Sequence, residues 1–174
     1  MQRETQIICG TVRIPNLSDF LKTVSSIAAE NEVIIQGLNA GLIAGEKHLH
    51  FAIRKALRAI AAGTNIAKDP GIEIMRYAAG ERQIEKSFAI GLREGENKAV
   101  FVLLGNLENL VLAISAIKKL LEEKLCPELL AYSGYKREGI LSLFGITNDE
   151  IEAAGEEYIP ELVIERVALA DFIK

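Results

Sequence analysis

Residues 73–88 read EIMRYAAGERQIEKSF, with Arg76 and Arg82 on either side of the small-residue break Ala78-Ala79-Gly80. Guanidinium groups spaced this way are suited to an anion. Glu73, Arg76 and Tyr77 lie at the three- and four-residue spacings that share a helix face. Gly80 supplies the left-handed turn that ends such a helix. A second helix starting near Arg82 leaves the N–H groups of Arg82, Gln83 and Ile84 free beside a positive dipole end. With the ammonium of Lys68 added, the arrangement fits one phosphate. Gln83 can read hydrogen-bonding edges, and Ile84 offers an apolar face to one unstacked base. The same residues also fit a structural reading, with Glu73–Arg76 a surface pair, Arg82 a bridge between helices and Ile84 part of the core.

Other chemistry finds fewer materials. His48 and His50 are two apart, about 200° around a helix, so they cannot share a metal ion. No third ligand stands at metal spacing, and the chain has no Gly-x-Ser-x-Gly elbow and no His-Glu-x-x-His. The run GLNAGLIAG spaces Gly37, Gly41 and Gly45 by four but lacks the Lys-Ser/Thr of a phosphate loop and the Gly-x-Gly of a dinucleotide fold. Close packing or turns explain it. Cys9 and Cys126 are too few for a disulfide framework. The acidic pairs Glu122-Glu123 and Glu156-Glu157 read as solvated helix surface. The expectation is a protein with no cofactor, no metal and no catalytic role. An enzyme using an unrecognised carboxylate is a rival reading, and it requires a deep pocket with a buried acid.

The elements that position these residues follow from periodicity. TQIICGTVRI reads as a strand, and Ser18-Asp19 caps a helix with Phe20, Leu21, Val24 and Ile27 inward. EVIIQGL is a second short strand. Residues 46–62 form a helix with the stripe Leu49, Ala52, Ile53, Ala56, Leu57 and Ile60, closed by Gly63. Two short helices, 71–79 and 82–90, hinge at Gly80. KAVFVLLG is apolar on both faces, as a strand at the centre of a sheet must be. Asn106 caps a long helix to about Lys124, with Leu110, Ile114, Ile117 and Leu121 inward. Pro127 starts a shorter helix, REGILSLFGI is another, and the last opens at Pro160 and runs through ELVIERVALADFI. The whole is an α+β fold, residues 1–174 as a single domain, with a small, mostly antiparallel central sheet flanked by helices.

The charge is uneven. The chain has 174 residues and a formal net charge of −4. Residues 47–92 nevertheless carry eight Lys/Arg against four Asp/Glu, and residues 106–174 carry seven against thirteen. A ligand responds to the local potential, so a basic patch on an acidic body is expected. No apolar run approaches the roughly 18–20 residues of a membrane span, and the N-terminus carries no signal-like apolar stretch. The expected location is cytoplasmic, with no membrane partner.

The ordered run HLHFAIRKAL…NIAKDPGIEIMRYAAGERQIEKSFAIGL resembles the small TPRKB-like subunit of the KEOPS complex, over about residues 46–92 and more weakly in the terminal LVIERVAL. Where that family often has a serine, this chain has Ala79, which removes one hydroxyl. The resemblance implies a non-catalytic subunit of the complex that makes threonylcarbamoyl adenosine beside the anticodon of tRNA. It implies docking on the kinase-like ATPase subunit, an indirect link to the threonylcarbamoyl transferase, and binding of the single-stranded 3′ CCA tail of tRNA. Carried over by position, the tRNA contacts are Lys68, Arg82 and Ile84, with Arg76 and Gln83, while Glu73 and Tyr77 orient Arg76. The docking face falls on the last helix at Leu162, Val163, Ile164 and Val167, four residues that equally suit a core. The rival within this family is an adapter that regulates the ATPase without touching RNA.

Overall fold

Strand β3 (Gly95–Gly105) is buried without a break from Ala99 to Gly105, and this continuity puts it in the middle of the sheet. The computed structural model describes residues 3–122 and 125–172. Its three strands run in the order β1-β3-β2, with both pairings antiparallel. β1 (Glu4–Ile14) pairs from Glu4 opposite Gly105 to Ile14 opposite Gly95, and β2 (Ile34–Asn39) pairs from Ile34 opposite Leu104 to Asn39 opposite Ala99. With eight α-helices among the described residues, the chain is an α+β protein. It divides into two compact units, Met1–Ala40 with Leu92–Leu129, and Gly41–Gly91 with Leu130–Lys174.

The first unit holds the sheet, with α1 (Leu17–Glu30) and α5 (Leu107–Lys118) packed on one face. Phe101 and Leu103 of β3 meet Val24 and Ile27 of α1 and Leu110 and Ile117 of α5 in one apolar cluster. Each such side chain contributes about 1.5–3 kcal/mol by leaving water. Gly37 admits Leu92: a Cβ there would stand 2.7 Å from Leu92 Cδ1. That is the close packing expected of this glycine.

Four expectations need correcting here. The cap of α1 is Asn16, whose extended backbone lets its side chain accept from the Asp19 N–H; Ser18 and Asp19 already lie inside the helix. Leu21 faces outward, 49 % exposed. Asn106 does cap α5, but the helix stops at Lys118. Beyond it the chain turns to the free edge of β1, where the N–H of Glu122 donates to Thr11 O (3.0 Å) and that of Cys126 to Cys9 O (2.9 Å). Edge pairing there outbids two more helical turns. The expected continuation through Glu123 and Lys124 lies outside the described residues, and Pro127–Leu130 is only a 3-10 turn.

The second unit is helical. α2 (Glu46–Ala62) packs against both α3 (Pro70–Ala78) and α8 (Ile159–Ala168). Its buried face is Leu49, Ala52, Ile53 and Ala56 as expected, joined by His48 and Ala59, while Leu57 and Ile60 are half-buried at its margin. Gly63, at φ 67°, closes it. α4 (Ile84–Ser87) is one turn followed by a 3-10 turn at Phe88–Ile90, so the expected helix from 82 to 90 is not formed. α6 (Arg137–Phe144) matches its expected position. α7 (Asn148–Ala154) was not anticipated, although Thr147 and Glu150 form a capping box that sequence spacing does announce. The last helix ends at Ala168 and a 3-10 turn spans Ala170–Phe172, with Ile173 outside the described residues.

Candidate functional site

Arg76 and Glu73 carry no exposed surface at all. On α3 they sit one turn apart. Arg76 Nη2 donates to Glu73 Oε1 at 2.8 Å and Arg76 Nε to Glu73 Oε2 at 3.1 Å, the two-pronged fit of guanidinium to carboxylate. Burial alone lowers the guanidinium's affinity for its proton, but the Glu73 carboxylate more than reverses this and Arg76 stays charged above its usual range. A buried pair is tolerated only when its remaining polar atoms are bonded too. Here they are: the N–H groups of Ile66 and Ala67 donate to Glu73 at 3.3 and 2.9 Å, and Arg76 Nη1 donates to Glu81 O at 2.8 Å.

Those satisfying groups come from two loops that matter. Ala67 precedes Lys68, and Glu81 precedes Arg82. The pair therefore ties together the backbone segments that carry the two exposed cations. Between them Gly80, at φ 64°, makes the left-handed turn out of α3. Lys68, Arg82 and Gln83 are exposed and Ile84 is half-buried. α4 is too short to carry a useful macrodipole, so side-chain charge rather than a helix end supplies the cationic character around Arg82.

Asp171, in the C-terminal 3-10 turn, is a hub that sequence reading passed over. Its carboxylate accepts from Tyr77 Oη (2.7 Å), Lys55 Nζ (3.0 Å) and Arg76 Nη2 (3.4 Å), and its carbonyl accepts from Arg82 Nη1 (3.4 Å). Partial burial opposes ionisation of Asp171, yet these hydrogen bonds outweigh it and hold the carboxyl below its usual range. Burial and the bond to Asp171 push the Tyr77 phenol up to about 12. The partners of Asp171 stand 89 to 116 positions away in the chain, so no local pattern points to it.

The expected site residues thus separate. Lys68, Arg82 and Gln83 belong to the surface loops and Ile84 opens α4 beside them, with Glu73 and Tyr77 behind. Arg76 belongs to the buried post, because a guanidinium with no exposed surface has no face to give a ligand. On α8, Val163 and Val167 are fully buried, while Leu162 and Ile164 are half-buried. His48 is buried and bonded at both ring nitrogens: the Ala44 N–H donates to Nδ1 (2.9 Å), which leaves Nε2 protonated to donate to Ala78 O (2.8 Å). His50 instead lies at the surface, 3.4 Å from Glu46. Among the described residues no group of three His, Cys, Asp or Glu could hold a metal ion, and no helix is long and apolar enough to cross a membrane.

The second unit thus sets a buried, fully bonded ion pair behind the exposed segments that carry Lys68 and Arg82. The model of a family described as kinase binding protein CGI-121 matches residues 13–171, and the chain belongs to that family, the TPRKB family its 73–88 block resembles. It is accordingly a kinase-binding adapter by family. A search of curated proteins found no match.

Proposed function

We propose that this protein is a non-catalytic subunit of the KEOPS complex that docks on the kinase-like ATPase and holds the 3′ CCA end of tRNA. It thereby supports threonylcarbamoylation of the adenosine next to the anticodon, acting in the cytoplasm and reaching the transferase only indirectly. The observation that carries the RNA part is the Glu73–Arg76 post, which fastens the Lys68 and Arg82 segments to one buried pair. Two exposed cations, an exposed amide at Gln83 and a half-buried Ile84 match the needs of a phosphate beside an unstacked base. Arg76 positions these contacts from beneath. Holding the tail raises the effective concentration of the anticodon arm at the transferase, which is how a subunit without chemistry of its own speeds a reaction.

The test compares intact tRNA with tRNA trimmed of its CCA. Intact tRNA binds more tightly, Arg82→Glu abolishes the difference, and the variant keeps its circular dichroism spectrum. With Lys68 and Arg82 each engaging one phosphate of the tail, its share of binding falls with salt at a log–log slope of about −1.4. Equal affinities for the two RNAs would refute tail binding. The second reading, an adapter without RNA contact, draws on the bond from Arg82 to the Asp171 carbonyl, which already occupies part of that guanidinium. Under it, Arg82→Glu leaves tRNA modification unchanged.

A further inference from the structure

Phe172 is 79 % exposed, the most exposed large apolar side chain among the described residues. It follows Asp171, which is fixed by Tyr77, Lys55 and Arg76 and whose carbonyl meets Arg82 at 3.4 Å. Its own N–H donates to Leu169 O at 2.9 Å, so the backbone that carries the ring is held at both ends of the turn. An aromatic ring on an anchored backbone, left in water one residue beyond the carbonyl that meets Arg82, loses little entropy on meeting a flat partner. Core packing does not account for it.

We propose that Phe172 is a stacking platform for an unpaired nucleobase at the RNA 3′ end, with Arg82 taking the adjoining phosphate. This inference rests on the tail-binding reading above and names a contact that the sequence block 46–92 does not contain. An aromatic ring accepts any base and a cation beside it takes the backbone, the pairing of contacts that single-strand binders use. The cation left for a polyanion is the exposed Arg82, which reaches the Asp171 carbonyl, while the carboxylate of Asp171 is already committed to three donors. The ring therefore meets a ligand in a cationic setting despite the acid beside it in sequence. Specificity for a single strand over a duplex follows, because only an unstacked base can present its face.

The chain contains no tryptophan, so Phe172→Trp places a single indole reporter at the site. The full-length variant is titrated with an RNA oligonucleotide ending in CCA, with binding followed in parallel by anisotropy of a labelled copy. Expected is saturable quenching of the indole at the same RNA concentrations that raise the anisotropy. Phe172→Ala should weaken binding by roughly 5- to 150-fold, as loss of one stacked base does, while Phe172→Tyr restores it. The melting temperature of Phe172→Ala should match that of the wild type, since an exposed ring supports little packing. Binding without quenching, or with unchanged affinity in Phe172→Ala, overturns the stacking role and leaves tail binding standing. No binding by the wild type overturns both. A Phe172→Ala variant that loses capture of the kinase-like ATPase but keeps its RNA affinity would reassign the ring to the protein partner.

Discussion

His48 couples proton concentration to the integrity of the second unit. Burial lowers its pKa from 6.5 to about 4; the bond to Ala78 works the other way, and nearby Lys136 adds to the lowering. In the unfolded chain the imidazole takes its proton as pH falls through about 6.5, whereas the folded chain resists until about 4. The unfolded state thus binds more protons across that window, and stability falls as pH falls. From pH 7 to pH 5 the loss assigned to this one group is about 2 kcal/mol. Urea midpoints at the two pH values measure it in the wild type and in His48→Gln, which has no titrating group there. The variant is less stable at pH 7, because no amide reproduces both ring bonds, and its stability changes less between the two values. Equal pH slopes in the two proteins would assign the effect to other groups. The histidine's identity was plain in the sequence and its role was not, because Ala78 lies 30 positions away. Arg76 gives the same lesson. Its i, i+3 spacing from Glu73 was readable, but an exposed pair is worth roughly 0–1 kcal/mol whereas breaking a buried one costs about 3–5 kcal/mol, and spacing does not report depth.

At the scale of elements, the exit from α3 decides where Arg82 stands. Gly80 occupies φ 64° and its Cα faces α8, so that a Cβ there would lie 3.4 Å from Arg166 Cβ. Gly80→Ala therefore leaves little steric trouble and mostly the left-handed penalty of about 1–2 kcal/mol. Gly63, at φ 67° with nothing within 4 Å of a Cβ, is the matched control. Both alanine variants should lose similar stability in urea. Only Gly80→Ala should also weaken tRNA-tail binding, since relief of its strain shifts the Glu81 carbonyl that Arg76 holds. Equal tail binding by the two variants would detach the turn from the site. Elements set by local signals were legible from sequence: the αL exits at Gly63 and Gly80, the Asn106 cap and the doubly apolar β3 all sit where their residues dictate. Elements set by distant partners were not. Neither the end of α5, drawn away to the edge of β1, nor the C-terminal turn, tied by Asp171 to α2 and α3, leaves a local mark.

Across the whole chain, the family match from residue 13 to 171 takes in both compact units, although the expected tRNA and kinase contacts all fall in one of them. Under the proposed function, that unit would serve a nucleic acid and a protein without the two competing. Chemistry separates the proposed contacts: the RNA contacts would be cationic loops, and docking on α8 would use the apolar residues that flank its buried stripe rather than its outer face, which carries Glu161 and Glu165. Val163 and Val167 are sealed in the core, which leaves Leu162 and Ile164, half-buried and on the margin of the helix, to meet the ATPase. Residues in the centre of an interface cost about 2 kcal/mol or more when truncated, and a charge there costs further desolvation. Leu162→Glu and Ile164→Glu should therefore lower capture of the kinase-like ATPase at least about thirtyfold. Because each side chain is only partly buried, the fold should tolerate the change better than it does at Val163. Val163→Glu, by contrast, buries a carboxylate and unfolds the unit. In the free protein both surface variants bind the tRNA tail as the wild type does; in the reconstituted complex both depress tRNA modification. Retention of the ATPase by both variants would move the docking face off α8 altogether.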